Sequence, residues 1–213
     1  MQLQAERQAL VKFGQKMLTS QLTTGAGGNL SLCDREQGLV AITPSGIEYF
    51  DLQPEDVVVV DFDGRIVEGE CKPSSELGFH LALYRQRTDI AAVVHTHSVY
   101  ATTIACLNWE IPPVHYLIGF SGHKVPLAPY ATFGTEQLAA NITEAIGDYN
   151  AVLLANHGLV TVGPTLGRAF AAAEEIELVA RIYYQTKSIG DPVILDEAEM
   201  SRVIDKFATY GQS

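Results

Sequence analysis

The sequence predicts an α/β fold in which helices cover the faces of a mixed or antiparallel sheet. Segments with helical spacing of apolar residues are interleaved with short apolar runs, and several of those runs stand too close together for a crossover helix between them. No Pro/Gly/Ser-rich linker, charge block or internal repeat divides the 213 residues. One domain over residues 1–213 is therefore expected. A chain of this length can bury about 70% of its unfolded surface without a disulfide or metal to hold it.

Leu10, Phe13, Met17, Leu18 and Leu22 recur at helical spacing, so an amphipathic helix is expected over residues 3–22. Short strands follow at Leu30–Cys33, Leu39–Thr43, Val57–Asp61 and Arg65–Glu68, the last two joined by the hairpin signal Asp63-Gly64. Pro73 allows a helix to begin near Ser74 and run to about Arg87. The alanine- and valine-rich Ile90–His97 reads as a buried strand, with Ser98 capping a helix of about ten residues after it. Residues 110–134 contain Pro112, Pro113, Pro126 and Pro129 and read as a long structured loop with one short strand near Lys124–Pro126. Thr135–Ile146 is expected as a helix closed by Gly147, Ala151–Asn156 and Leu159–Val162 as strands, and Thr165–Ser188 as a long helix. Asp196 with Glu199 forms the capping box of a last helix to about Phe207.

Fourteen basic against 25 acidic residues leave a net charge of −11, which offers no field for nucleic-acid backbones or anionic membrane surfaces. Residues 91–109 lack Asp, Glu, Lys and Arg, but His95, His97, Ser98, Thr102, Thr103 and Asn108 make the stretch too polar to span a bilayer. Cys33, Cys71 and Cys106 show no C-x-x-C spacing and suit a reducing compartment. Glu6, Arg7 and Lys12 interrupt the run an export signal would need, so a cytoplasmic protein is expected.

His95 and His97 stand two apart on the expected strand, which points both imidazoles to one face. His157, at the end of another buried strand, could deliver a third ring beside them. Three neutral imidazoles and an open fourth position are the pattern of a catalytic rather than a structural zinc site; the other reading is a set of hydrogen-bonded sheet histidines. His80, His115 and His123 lack such pairing and read as structural. Pro-Ser-Ser-Glu at 73–76 supports two readings. Ser74 or Ser75 caps a helix whose dipole Glu76 complements, or the serines and helix start bind an anion while Glu76 acts as a base. Thr24–Asn29 lacks the G-x-G-x-x-G spacing of a dinucleotide site, yet its backbone N–H groups and those of Thr43–Gly46 could surround a phosphate without any lysine.

Six motifs occur in one order: Gly-Gly-Asn-Leu-Ser at 27–31, Ile-Thr-Pro-Ser-Gly at 42–46, Pro-Ser-Ser-Glu at 73–76, Val-Val-His-Thr-His at 93–97, Pro-Tyr-Ala-Thr-Phe-Gly-Thr at 129–135 and Asn-His-Gly-Leu at 156–159. In that order and spacing the chain resembles the class II aldolase/epimerase family, which includes the adducin head, along nearly its whole length. The resemblance implies a three-layer α/β/α fold with a central mixed, mainly antiparallel sheet, assembled as a C4 homotetramer with sites at subunit interfaces. It implies that His95, His97 and His157 hold one Zn2+ (or another divalent ion) per subunit and that Glu76 is the catalytic acid/base. Gly28, Asn29, Ser45, Gly46, Ser74 and Ser75 match phosphate-binding positions. Tyr116 matches a catalytic tyrosine contributed by the neighbouring subunit, and Tyr210 one that closes over the site.

The implied reaction is reversible retro-aldol cleavage of a ketose 1-phosphate, of the L-fuculose 1-phosphate kind, to dihydroxyacetone phosphate and a small aldehyde such as L-lactaldehyde. A sugar-phosphate 4-epimerase of the L-ribulose-5-phosphate type is the alternative within the family, but such epimerases resemble one another in an acidic residue where this chain has His115-Tyr116-Leu117-Ile118. Related decarboxylases carry a lysine in place of Ser75. From a different class, a non-catalytic adducin-head-like interaction module would lack the metal site, whereas all three histidines and Glu76 are present here.

Overall fold

Alternation of apolar side chains along the strands gives the sheet two buried faces, and helices cover each. In the computed structural model, which describes residues 1–208, α1 (Gln4–Thr19) precedes β1 (Asn29–Asp34), β2 (Leu39–Ile42), β3 (Val58–Asp61) and β4 (Ile66–Glu68). Then come α2 (Leu77–Gln86), β5 (Ala92–Thr96) and α3 (Val99–Cys106), followed by a 3-10 turn (Tyr116–Phe120), β6 (Leu127–Ala128) and α4 (Glu136–Ile146). The chain closes with β7 (Ala151–Leu154), β8 (Gly158–Gly163), α5 (Leu166–Ile189) and α6 (Glu197–Ala208). The described strands make one eight-stranded sheet of order β4-β3-β2-β1-β5-β8-β7-β6. Every neighbouring pair is antiparallel except β6 with β7. This is the three-layer, mainly antiparallel arrangement expected.

Along β5, Ala92 and Val94 join a core with Leu10 and Met17 of α1, Ile104 of α3 and Phe170 of α5. Val93 joins the opposite core with Phe79 and Leu83 of α2 and Ile142 of α4. The two-residue period therefore carries His95 to the α2 side, where its ring meets Phe79 edge-on at 5.6 Å. Thr135 and Thr165 cap α4 and α5 by accepting hydrogen bonds from Leu138 N (3.3 Å) and Arg168 N (3.2 Å). Among the described residues, no helix is long and apolar enough to cross a membrane.

Several boundaries differ from the sequence reading, among them β5, which covers Ala92–Thr96 and stops one residue short of His97, and β7, which ends at Leu154 rather than Asn156. The first helix ends at Thr19, because Gln21 takes a left-handed φ of 57° and turns the chain out of the helix. α2 starts at Leu77 rather than Ser74: the Ser74 hydroxyl accepts from Glu76 N at 3.2 Å and Leu77 N donates to Ser74 O at 3.0 Å, so the serines form a turn before the helix. The short strand expected near Lys124–Pro126 lies at Leu127–Ala128, since Pro126 has no N–H to place in a ladder; Val125 makes only an isolated bridge to Ile111.

Candidate active site

The sheet register builds the site. β1 and β5 pair so that Asn29 stands opposite His95, and β5 and β8 pair His95 with Val160, bringing the turn before β8 alongside. Gly28 permits the close approach: it has φ +69°, and a Cβ there would lie 2.5 Å from the His95 carbonyl oxygen. Gly158 does the same on the other side, where a Cβ would collide with the Thr96 carbonyl oxygen. His157 sits between Gly158 and Asn156, whose positive φ of 54° bends the chain back toward the histidine pair.

One nitrogen from each of His95, His97 and His157 lies within 4.8 Å of the others. His95 Nδ1 donates to the Leu159 carbonyl oxygen at 3.0 Å, which leaves the Nε2 lone pair facing the cluster. His97 Nε2 approaches that same Nε2 at 3.0 Å. Burial, followed by the neighbouring imidazole of His95, lowers His97 and His157 to about 4, so both are neutral near pH 7. Neutral imidazoles with converging lone pairs are metal-ligating groups, and this triad can bind a divalent ion.

Glu76 faces the same cluster from the turn before α2. Its Oε2 accepts from Asn29 Nδ2 at 2.9 Å and lies 3.3 Å from His95 Nε2. Its Oε1, 3.4 Å from His157 Nε2, is buried without a hydrogen-bond partner. A buried, unpaired carboxylate oxygen beside three imidazoles fits a cation at this position. Burial opposes ionisation of Glu76, but His95 and His157 when protonated, together with the Asn29 amide, outweigh it and hold the carboxyl well below the usual carboxylate range.

The cluster opens into a cleft of about 470 Å³. Gly28, Asn29, Ser45, Gly46, Ser74 and Ser75 all line it, together with Glu76, His97 and His157; among the described residues no lysine or arginine does. Its two serine-bearing loops are tied together, since Ser45 Oγ donates to the Pro73 carbonyl oxygen at 3.2 Å and accepts from Ser75 N at 3.1 Å. Such a wall of backbone N–H groups and hydroxyls can hold an anion without a cationic side chain.

Tyr116 is not among the residues lining this chain's cleft; it is half-exposed on the 3-10 turn, with its ring 6.1 Å from that of Phe207. Tyr210 lies outside the described residues. Sequence reasoning missed Tyr130 and Phe133, which line the cleft from an exposed loop. It also set His80 apart from the site, although His80 stands one helical turn after Glu76 and hydrogen-bonds Asn29 Oδ1 at 2.6 Å.

A sequence profile for the family described as Class II Aldolase and Adducin N-terminal domain matches residues 8–184. The chain is 58% identical over 212 residues to a 5-deoxy-D-ribulose 1-phosphate aldolase of Bacillus thuringiensis serovar kurstaki, covering 100% of each. It is 42% identical over 192 residues to an L-fuculose phosphate aldolase of Escherichia coli strain K12, covering 89% of this chain and 88% of that one. Among solved structures, an L-fuculose 1-phosphate aldolase matches with a TM-score of 0.94 at 46% identity over 96% of each chain.

Proposed function

The chain belongs to the class II aldolase and adducin family, and from that membership we propose that it cleaves a methyl-terminated ketose 1-phosphate to dihydroxyacetone phosphate and a small aldehyde. The observation that carries the reading is the juxtaposition in one cleft of an ionised Glu76, a three-histidine cluster and a lysine-free anion wall. The 58% relative favours 5-deoxyribulose 1-phosphate, which would give acetaldehyde. L-fuculose 1-phosphate, giving L-lactaldehyde, comes second on the 42% relative. Both substrates end in a methyl group. A phosphorylated substrate of this kind fits a cytoplasmic enzyme.

The reaction breaks the C3–C4 bond of the ketose, and its electron pair must be accommodated next to the C2 carbonyl. His95, His97 and His157 would hold a zinc ion, which supplies Lewis-acid polarisation of that carbonyl when bound. Gly28, Asn29, Ser45, Gly46, Ser74 and Ser75 anchor the phosphate and so fix the reacting carbons over Glu76. The ionised Glu76 is suited to take a proton from the hydroxymethyl carbon of dihydroxyacetone phosphate in the condensation direction; cleavage returns that proton by reversal. Tyr116 exchanges the proton on the aldehyde oxygen. Its absence from its own chain's cleft supports delivery across a subunit boundary, in the homotetramer that the family resemblance implies. Tyr210 is assigned to closing the site.

Purified protein with zinc should be offered dihydroxyacetone phosphate with acetaldehyde, L-lactaldehyde or glycolaldehyde, and each sugar phosphate identified. Condensation with the two methyl-terminated aldehydes is expected, acetaldehyde faster. No product with any aldehyde overturns the reading. Mixing inactive Tyr116→Phe and Glu76→Gln subunits should restore activity in hybrid oligomers. No recovery in verified hybrids places Tyr116 outside the shared site.

A further inference from the structure

Behind Glu76 runs a row of buried polar groups, and Ser31, His80 and Tyr84 among them serve none of the steps above. Asn29, which gives its amide N–H to Glu76, receives His80 Nε2 on its Oδ1 at 2.6 Å. His80 Nδ1 lies 2.6 Å from Ser31 Oγ, and Ser31 Oγ lies 2.7 Å from Tyr84 OH. Ser31, His80 and Tyr84 are completely buried. They come from β1 and α2, with Phe79 stacked on the His80 ring at 4.5 Å and 18°.

The direction of each bond follows from the chemistry of the groups. Asn29 Nδ2 stands on Glu76 Oε2 and Asn29 Oδ1 on His80 Nε2, so the amide gives its NH2 to the carboxyl oxygen and offers its own oxygen to the ring. His80 Nε2 must then carry the hydrogen. Burial lowers His80 to about 3, so the ring is neutral and its Nδ1 is an acceptor. Ser31 donates to that nitrogen, and its oxygen in turn accepts from Tyr84 at 2.7 Å, a shorter path for the phenol hydrogen than the Ala91 carbonyl oxygen at 3.5 Å. Four hydrogen bonds point the same way and end on one carboxylate oxygen, an arrangement in which each bond strengthens the next.

We propose that His80 is a positioning residue for this enzyme: by donating to Asn29 it fixes the amide, and through the amide the Glu76 carboxylate, while Ser31 and Tyr84 set the tautomer that makes the donation. With Oε2 pinned, Oε1 is the oxygen left free to exchange a proton with substrate. Without His80 the Asn29 amide could flip and set its oxygen against the carboxylate. The proposal rests on Glu76 being the acid/base.

The test compares His80→Gln, whose amide N–H can stand near the place of Nε2, with His80→Asn, whose shorter amide cannot reach Asn29. His80→Asn should lower kcat by roughly 10- to 100-fold, the cost of a misplaced catalytic group. KM for the ketose phosphate should stay within about two-fold and metal content at one ion per chain. His80→Gln should keep at least about a third of wild-type kcat. Equal losses in both variants, unchanged turnover in His80→Asn, or a loss of metal matching the loss of kcat would overturn the proposal. Ser31→Ala, a smaller change, should lower kcat several-fold at unchanged KM; if His80→Asn does not fold, an unaffected Ser31→Ala enzyme overturns it instead. Deuterium exchange into the hydroxymethyl carbon of dihydroxyacetone phosphate, measured on Glu76→Gln alongside, keeps the two readings apart. Normal exchange there removes Glu76 from the chemistry whatever the His80 variants do.

Discussion

At the floor of the cleft Asn29 and Glu76, with His95 beneath them, are at most 6% exposed, whereas Tyr130 and Phe133 on its rim are 62% and 65% exposed. Each floor residue sits on, or one residue from, a strand or helix end and has a polar partner drawn from a different element. The rim aromatics belong to a loop between β6 and α4. Over-determined geometry at the floor suits chemistry that tolerates no displacement. An exposed loop rim can change its residues without disturbing the sheet.

The contrast breaks most readily at the metal. A His95→Ala, His157→Ala double variant should lose its divalent ion and all measurable activity, and EDTA should do the same to the wild type until zinc is restored. Activity surviving complete metal removal, together with a borohydride-stable adduct on a lysine, would replace metal chemistry with a Schiff base. Glu76→Gln should keep metal and fold while kcat falls by about 10² to 10⁴. Near-normal turnover in steady-state assays would reduce Glu76 to a helix-start residue.

Acid should separate a dry floor from a wet one. The unfolded chain protonates His80 near 6.5, but the folded chain does so only near 3. Across that window the unfolded state binds the extra proton, so stability falls as pH is lowered, at up to about 1.4 kcal/mol per pH unit from this group. Above pH 6.5 it contributes no slope. Urea midpoints of metal-free wild type and His80→Gln between pH 7 and 4.5 should diverge accordingly; parallel curves would mean that water reaches the histidine. The smallest effect belongs to the rim. Phe133→Ala should leave the melting temperature and Glu76-dependent proton exchange nearly unchanged while shifting the acetaldehyde to L-lactaldehyde preference by a few-fold. A loss of kcat as large as that of Glu76→Gln would make the rim part of the catalytic apparatus.

What was legible in the sequence was local. The two-residue spacing of His95 and His97 and the period of the strands each needed only neighbouring residues, and the element order follows them closely; the turn at Ser74–Glu76, read from the sequence as the start of a helix, depended on the bonds its serine makes. His80 escaped notice for the opposite reason: its partners Asn29 and Ser31 lie 51 and 49 residues away, joined to it by the packing of α2 on β1. Its spacing of four from Glu76 was the available signal, and a histidine on an apolar helix face reads as core until the far strand is known. Tyr130 and Phe133 fell in a segment without periodicity, where only their motif marked them.

The central strands bear on how the molecule is assembled. β1, β5 and β8 are neighbours in the sheet but come from residues 29–34, 92–96 and 158–163, so pairing them closes two loops of about 60 residues each. Until β8 docks, His157 is not beside His95 and His97, and the growing sheet offers two imidazoles where a tight site needs three. A divalent ion would thus gain little from a chain in which β8 is undocked, and would lend its binding free energy to the finished sheet. Such an ion would act as a latch on completed folding, raising the barrier to unfolding without hastening the search that precedes it.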